Sequence, residues 1–390
     1  MFIRLRGRRP DEECSRTFRP ALAAAATSGS IGSLKIDPVA WRLRSQRLLH
    51  ATGRRAADVV SWLGAMQAQD YAGTKWGIGL RAIGADERAI ERAFNDGAIL
   101  RTHMMRPTWH FVAPADIRWI QKLTGPRVQS LNALYYRKAG LDAPALRRGM
   151  KVLERSLRTL KFLTREALGR ALEGAGLPLQ GQSLAYLMMY AELEGVVCSG
   201  PREGKQFTYA LLEERAAPVP GISRDEALAE LVRRYFTSHG PATFKDFAWW
   251  SGLTARDAAA GAAMIGHGLV HATIDGLTYW FAPGPAATAP ASPAVFLLPI
   301  YDEFGIAYRD RKLLSSVPRP THMAERDGFA HLLVIDRELA GRWRRQVQAR
   351  SAAIDVQPFR SLTRAEIRGV EAAVERYGTF VGLPAATNIV

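Results

Sequence analysis

Apolar positions recur at helical spacing through the first part of the chain and give way three times to short runs of strand-like alternation. Residues 38–50 and 56–66 read as helices. The first opens on Asp37-Pro38, a short acid able to cap free backbone N–H groups, followed by a proline whose missing N–H is harmless in a first turn. In the second, Val59, Trp62, Leu63 and Met66 form an apolar stripe. A further stretch, weakened by glycines, runs through Trp76 and Leu80. Residues 86–95 follow, capped by Asp86 and ended by Asn95-Asp96-Gly97. The period then changes. Residues 99–105 and 108–112 read as two strands turning at Arg106-Pro107, where a proline cannot donate to a ladder.

The order helices-then-hairpin recurs. Residues 164–174 and 183–194 are helical, and 196–199 and 206–211 are strands around the basic tip Pro201-Arg202-Glu203-Gly204-Lys205. A third copy starts at Ser223-Arg224-Asp225-Glu226, a serine cap with acids in the first turn. It runs through helices at 224–239, 243–251 and 254–265 to strands at 269–274 and 277–281, which turn at Asp275-Gly276. The expected fold is mainly α with small β-hairpins (α+β): three tandem winged-helix modules at 36–150, 151–220 and 221–285. Residues 283–293, rich in proline and alanine, read as a linker. Residues 293–390 read as a small α/β appendage, with strands at 294–299 and 331–335 and arginine-rich helices at 337–348 and 363–377. Residues 1–35, arginine-rich and then alanine-rich, read as a disordered extension.

Charge narrows the class of partner. Lys+Arg is 53 against Asp+Glu 37, a formal net charge of +16 over 390 residues. Such an excess favours polyanions, because each phosphate neutralised by a cation releases a condensed counterion. Without a prominent amphipathic basic helix, nucleic acid comes ahead of a membrane surface. Two cysteines, Cys14 and Cys198, exclude a disulfide scaffold, no CxxC pair points to zinc, and no run is long enough to span a membrane. The expected setting is the cytoplasm, with the chain associated with the nucleoid, and no obligate protein partner is evident.

Against this basic, helical background, Met66-Gln67-Ala68-Gln69-Asp70 stands out: two uncharged amides spaced i,i+2 ahead of the first hairpin. Taken alone, they cap helix ends or tie the hairpin to the core. Three modules, this stretch, Arg106-Pro107-Thr108-Trp109-His110-Phe111-Val112 and Leu298-Pro299-Ile300-Tyr301-Asp302-Glu303-Phe304 together resemble the winged-helix DNA glycosylases that confer resistance to azinomycin-type crosslinking agents, and their interstrand-crosslink glycosylase relatives. The resemblance covers most of the chain from Asp37 onward. It implies tandem winged helices on double-stranded DNA, removal of N7-alkylated purines, and catalytic positions at Gln67 and Gln69.

An amide cannot serve as a strong general base. An N7-alkylguanine is already cationic, however, and leaves without protonation, so amides need only orient water at the anomeric carbon and face a sugar-cation-like transition state. A monofunctional enzyme is expected, since no lysine accompanies the pair to form a Schiff base, and no cofactor or metal is called for. Other candidates carry two readings each. Asp70 is a general base or a helix cap. Arg101 and Arg106 contact phosphate or lie on a solvated hairpin face. His103 and His110, on facing strands without further ligands for a metal, are hydrogen-bonded or face phosphate. Trp109 stacks on a base or fills the core. Lys205 touches the DNA backbone or is a solvated tip. Asp302 and Glu303 hold a metal or serve as a general base, or bond local amides, and Trp249-Trp250 read as core. The alternative for the whole chain is a non-catalytic winged-helix DNA-binding protein or transcriptional regulator. A third reading is an assembly module independent of nucleic acid.

Overall fold

A computed structural model describes residues 36–284, 293–310, 313 and 330–390. The extension at 1–35 and residues 285–292 of the linker lie outside the described residues.

The first unit is built from α1 (Pro38–Ser45), α2 (Ala56–Leu63), β1 (Met66–Gln67), α3 (Tyr71–Gly79), α4 (Glu87–Asn95), β2 (Leu100–Met104) and β3 (Thr108–Val112). Asp37 caps α1 as expected, its carboxylate accepting from the N–H groups of Val39 and Ala40. The expected helix at 56–66 stops three residues early. Gly64, at φ 79°, takes a backbone form that other residues resist, and the chain leaves the helix there. Met66 and Gln67 then pair antiparallel with Phe111 and His110, giving a three-stranded sheet in the order β1-β3-β2. The glutamine stretch is therefore an edge strand of the hairpin rather than the tail of a helix.

Two long helices, α5 (Pro114–Lys138) and α6 (Ala143–Leu160), lead into a second unit. It comprises β4 (Leu163–Thr164), α7 (Arg165–Gly174), α8 (Gly181–Leu193), β5 (Val197–Glu203), β6 (Gln206–Leu211) and α9 (Leu212–Arg215). The third comprises α10 (Arg224–Ser238), α11 (Phe244–Ser251), α12 (Ala255–Ile265), β7 (Val270–Ile274) and β8 (Leu277–Phe281). Ser223, Thr243 and Thr254 each close a reciprocal cap with the acid three residues on, so short polar residues set the start of all three helices. Asp275 and Gly276 both take positive φ in the β7–β8 turn, as the Asp-Gly pair predicts.

The last part departs most from expectation. β9 (Val295–Leu298), α13 (Glu303–Ile306), β10 (Leu332–Ile335), β11 (Glu338–Val347), β12 (Ala352–Pro358), α14 (Arg364–Val381) and β13 (Ala385–Ile389) make a five-stranded sheet ordered β13-β12-β11-β10-β9 with a short helix, α13, and a long one, α14. The expected helix at 337–348 is strand β11, paired on one side with β10 and on the other with β12. Nor is the sheet a detached appendage. Leu297, Val334, Trp343, Val370 and Tyr377 share one apolar core with Val59, Trp76, Ile78 and Phe94 of the first unit. The Trp76 indole N–H donates to the Leu297 carbonyl at 2.6 Å. Arg81 and Asp302, both sealed from solvent, form a two-pronged pair at 2.8 Å on each prong. The fold is α+β, helical with small sheets.

Candidate active site

Antiparallel pairing of β1 with β3 fixes where the two amides go. Ala68 N–H donates inward to the Trp109 carbonyl at 2.7 Å. The N–H of the preceding residue, Gln67, points to the other edge, where the Glu303 carboxylate accepts it at 2.8 Å. The Gln67 carbonyl accepts from the Thr74 hydroxyl at 2.9 Å, and its side-chain Oε1 accepts from the Arg106 guanidinium at 2.9 Å. Gln67 is thus buried and bonded at backbone and side chain. Gln69 is exposed, and its Oε1 lies 3.5 Å from the Trp109 backbone N–H, a long contact.

Most of the residues singled out in the sequence gather around this ribbon. Asp70 stands at the first position before α3 but makes no capping bond. Its carboxylate pairs instead with Arg345 of β11, at 2.9 and 3.2 Å, so the side chain does not act as the cap. Trp109 is half-buried, between the Arg101 guanidinium (4.3 Å from the ring centroid) and the His103 imidazole (4.4 Å between ring centroids). The Arg106 guanidinium also lies 5.8 Å over Trp249. Trp249 is 38% exposed, against the expectation that both tryptophans of its pair are core; Trp250 is fully buried.

Three residues for which a phosphate contact is one of two sequence readings are interior. Arg101 is buried between Trp109 and Phe207, donates from Nε to the Ala68 carbonyl at 3.1 Å, and is brought down by burial to about 10 from the usual guanidinium range. His103 bonds the buried Glu192 through Nδ1. His110 is sealed, its Nδ1 faces the Thr108 carbonyl at 3.0 Å, and burial holds its pKa well below the usual histidine range. The reason is common to Arg101 and His103: the second unit packs on that face of the hairpin, Ser199 of β5 accepting from the Arg101 N–H and Glu192 of α8 meeting His103. Lys205 is exposed at the β5–β6 turn.

Of the acid pair, Asp302 bonds one local amide, the Phe304 N–H at 2.9 Å, but its main partner is Arg81. Glu303 reaches far from its own turn: beyond Gln67, its Oε2 accepts from the Trp250 indole N–H at 3.0 Å and lies 3.3 Å from His239 Nε2. Sequence reasoning missed Glu192, His239 and Arg345, since their partners lie far off along the chain and no spacing rule connects them. Among the described residues no cluster of three or more His, Cys, Asp or Glu is placed to hold a metal ion, and no helix is long and apolar enough to cross a membrane.

The arrangement therefore offers amides rather than carboxylates. Each acid bonded to the ribbon or its hairpin is already engaged: Asp70 with Arg345, Glu303 in the interior, Glu192 with His103. On a chain of net charge +16, an α+β fold with a ribbon that presents neutral amides is in keeping with a nucleic-acid-directed protein. Comparison with known proteins agrees. The family described as DNA glycosylase AlkZ-like matches residues 60–380, and the chain belongs to that family. It is similar to an interstrand DNA cross-link repair glycosylase of Streptomyces sahachiroi, 25% identical over 359 residues that span 85% of this chain and 92% of the relative. It also shares its fold with a solved structure, the DNA glycosylase AlkZ of Streptomyces sahachiroi, at a TM-score of 0.73 and 22% identity, covering 91% of this chain and 98% of that one.

Proposed function

We propose that this protein is a monofunctional DNA glycosylase that releases N7-alkylated, cationic purines, crosslinked or bulky ones included, with Gln67 and Gln69 positioning the attacking water. The carrying observation is the pair of amides two residues apart, one pinned by Glu303 and Arg106 and one exposed beside Trp109, in a site whose neighbouring carboxylates are all engaged. That chemistry suits a leaving group needing no proton. N7-alkylation puts a positive charge on the purine ring, so the glycosidic bond loosens toward a sugar cation, and water needs orientation more than deprotonation. Neutral carbonyl oxygens can face that developing charge without the desolvation penalty of a buried carboxylate. The three helix-and-hairpin units are read as winged helices holding the duplex. Lys205 supplies a phosphate contact at the second hairpin tip. Arg106 is assigned to the amide rather than to phosphate, and Trp109, half-exposed beside Gln69, offers a face for stacking on a base.

The test is release of free base from duplex DNA containing 7-methylguanine. Wild-type protein liberates 7-methylguanine and leaves alkali-labile abasic sites. The double variant Gln67→Ala/Gln69→Ala loses release by at least about 10²-fold while keeping its DNA affinity, because no phosphate contact has been removed. Base release at the wild-type rate by the double variant would remove the amides from the mechanism.

A further inference from the structure

Glu303 and His239 sit behind the glutamine ribbon, 1% and 0% exposed, and their hydrogen bonds can be assigned from donors and acceptors alone. The Ser238 hydroxyl lies 2.7 Å from the Arg234 carbonyl, which has only lone pairs to offer, so its single proton goes there. The hydroxyl oxygen then accepts from His239, 2.8 Å away, which places a proton on Nδ1. Stacking on Tyr235, at 4.9 Å and 11° between planes, holds the ring in that orientation. Nε2 is left facing Glu303 Oε2 at 3.3 Å. A carboxylate and a bare imidazole nitrogen would repel each other, so one proton lies between them. The remaining acceptor sites of Glu303 take the Trp250 indole N–H and the Gln67 backbone N–H.

The Gln67 N–H is the open-edge donor of a strand only two residues long. Its other edge is paired with β3, and this one is sealed in protein, where water does not reach it. One carboxylate therefore ties the ribbon to the C-cap of α10 through His239 and to α11 through Trp250. We propose that Glu303, sharing a proton with His239, is a positioning residue of the active site: it fixes the height and register of the Gln67–Gln69 ribbon through the Gln67 N–H. The inference rests on the glycosylase reading above for its effect on rate, but the contact itself is testable without it. What Glu303 supplies is reach and an acceptor oxygen. Its charge is secondary, because the shared proton already neutralises the pair.

Two substitutions separate these properties. Glu303→Asp keeps the charge but withdraws the carboxylate by about 1.5 Å, one carbon–carbon bond. Glu303→Gln keeps the reach and an acceptor oxygen for Gln67 and gives up the charge; its amide N–H donates to His239 Nε2, while the Trp250 indole N–H loses its acceptor. The measurements are single-turnover release of 7-methylguanine at saturating enzyme and hydrogen–deuterium exchange of the peptide carrying Gln67. Expected is a fall of about 10²-fold in rate for E303D, with faster exchange at the Gln67 amide and unchanged DNA affinity. E303Q stays within a few-fold of wild type in both. Equal behaviour of E303D and wild type overturns the proposal, as does a loss in E303Q as deep as in E303D. If wild-type protein released no base, the glycosylase reading would fall, while the exchange data would still decide whether Glu303 holds the ribbon.

Discussion

At the scale of single residues, Gln67 and Gln69 share a residue type but not surroundings. Gln67 is pinned, and Arg106 fixes which end of its amide faces inward, because a guanidinium can only donate and so selects Oε1. From sequence, Arg106 was a phosphate contact or a solvated side chain, and the two roles give opposite results on substitution. If Arg106 orients the amide, Arg106→Ala lowers the single-turnover rate of base release by about ten- to a hundredfold with DNA affinity unchanged. Lysine at this position restores little, lacking the planar fork. If Arg106 held phosphate, the rate at saturation would stand, and the slope of log affinity against log salt would fall by about one. Binding isotherms at several salt concentrations beside single-turnover assays decide between them. The alternation of a strand puts Arg101 and His103 on one face, where they pair with Phe111 and Trp109. It could not show that Glu192 and Ser199, from a unit a hundred residues on, would cover that face. A residue's own strand predicts its direction; burial depends on what packs there.

At the scale of elements, local chemistry was legible where it was self-contained. Asp37, Asp86, Thr164, Ser223, Thr243, Thr254 and Thr363 all accept a backbone N–H at the helix starts they precede. β11 was misread because Arg342, Arg344 and Arg345 punctuate an apolar run much as the polar side of a helix would. Its strand form depends on two neighbours, β10 and β12, that sequence alone does not bring alongside. The helix that covers this sheet carries a pH-dependent tie. Glu366, in the first turn of α14, is held down to about 2, chiefly by hydrogen bonds from Arg360 at 2.6 and 3.0 Å and then by the Thr363 N–H. A carboxyl group depressed on folding stabilises fully above its unfolded value, about 4.3, and the stabilisation disappears as pH falls through the folded value. Thermal melts should therefore place Glu366→Gln below wild type near neutrality, with the gap closing as the pH drops from about 5 toward 2. A gap that stayed constant over that range would mean that charge is not what Glu366 contributes.

At the scale of the molecule, net charge and the recurring helix-hairpin order pointed to a nucleic-acid protein of mainly helical build, but not to the way its two ends meet. The unit bearing the glutamine ribbon is not closed by its own helices: Trp76, Phe94 and Val59 are completed by the sheet of residues 295–389. That joint is sealed by Arg81 and Asp302, with Arg81 also bonding the Gln46 carbonyl at 2.9 Å and the Gln46 side chain at 3.0 Å. A buried pair of this kind adds little over an apolar substitute, yet removing one partner strands a charge in the interior. Asp302→Ala should thus destabilise the fold by about 3–5 kcal/mol, read as a lowered midpoint in urea denaturation. The double variant Arg81→Met/Asp302→Ala should recover a large part of that loss, because no unpaired guanidinium remains. The loss should also reach the active site, since Asp302 precedes Glu303 in sequence and its carboxylate accepts the Phe304 N–H that starts α13. In Asp302→Ala the peptide carrying Gln67 should exchange its amide protons faster than in wild type, at urea concentrations well below the unfolding midpoint. Unchanged exchange there, together with a normal midpoint, would mean that the joint between the two ends of the chain does not support the ribbon it lies beneath.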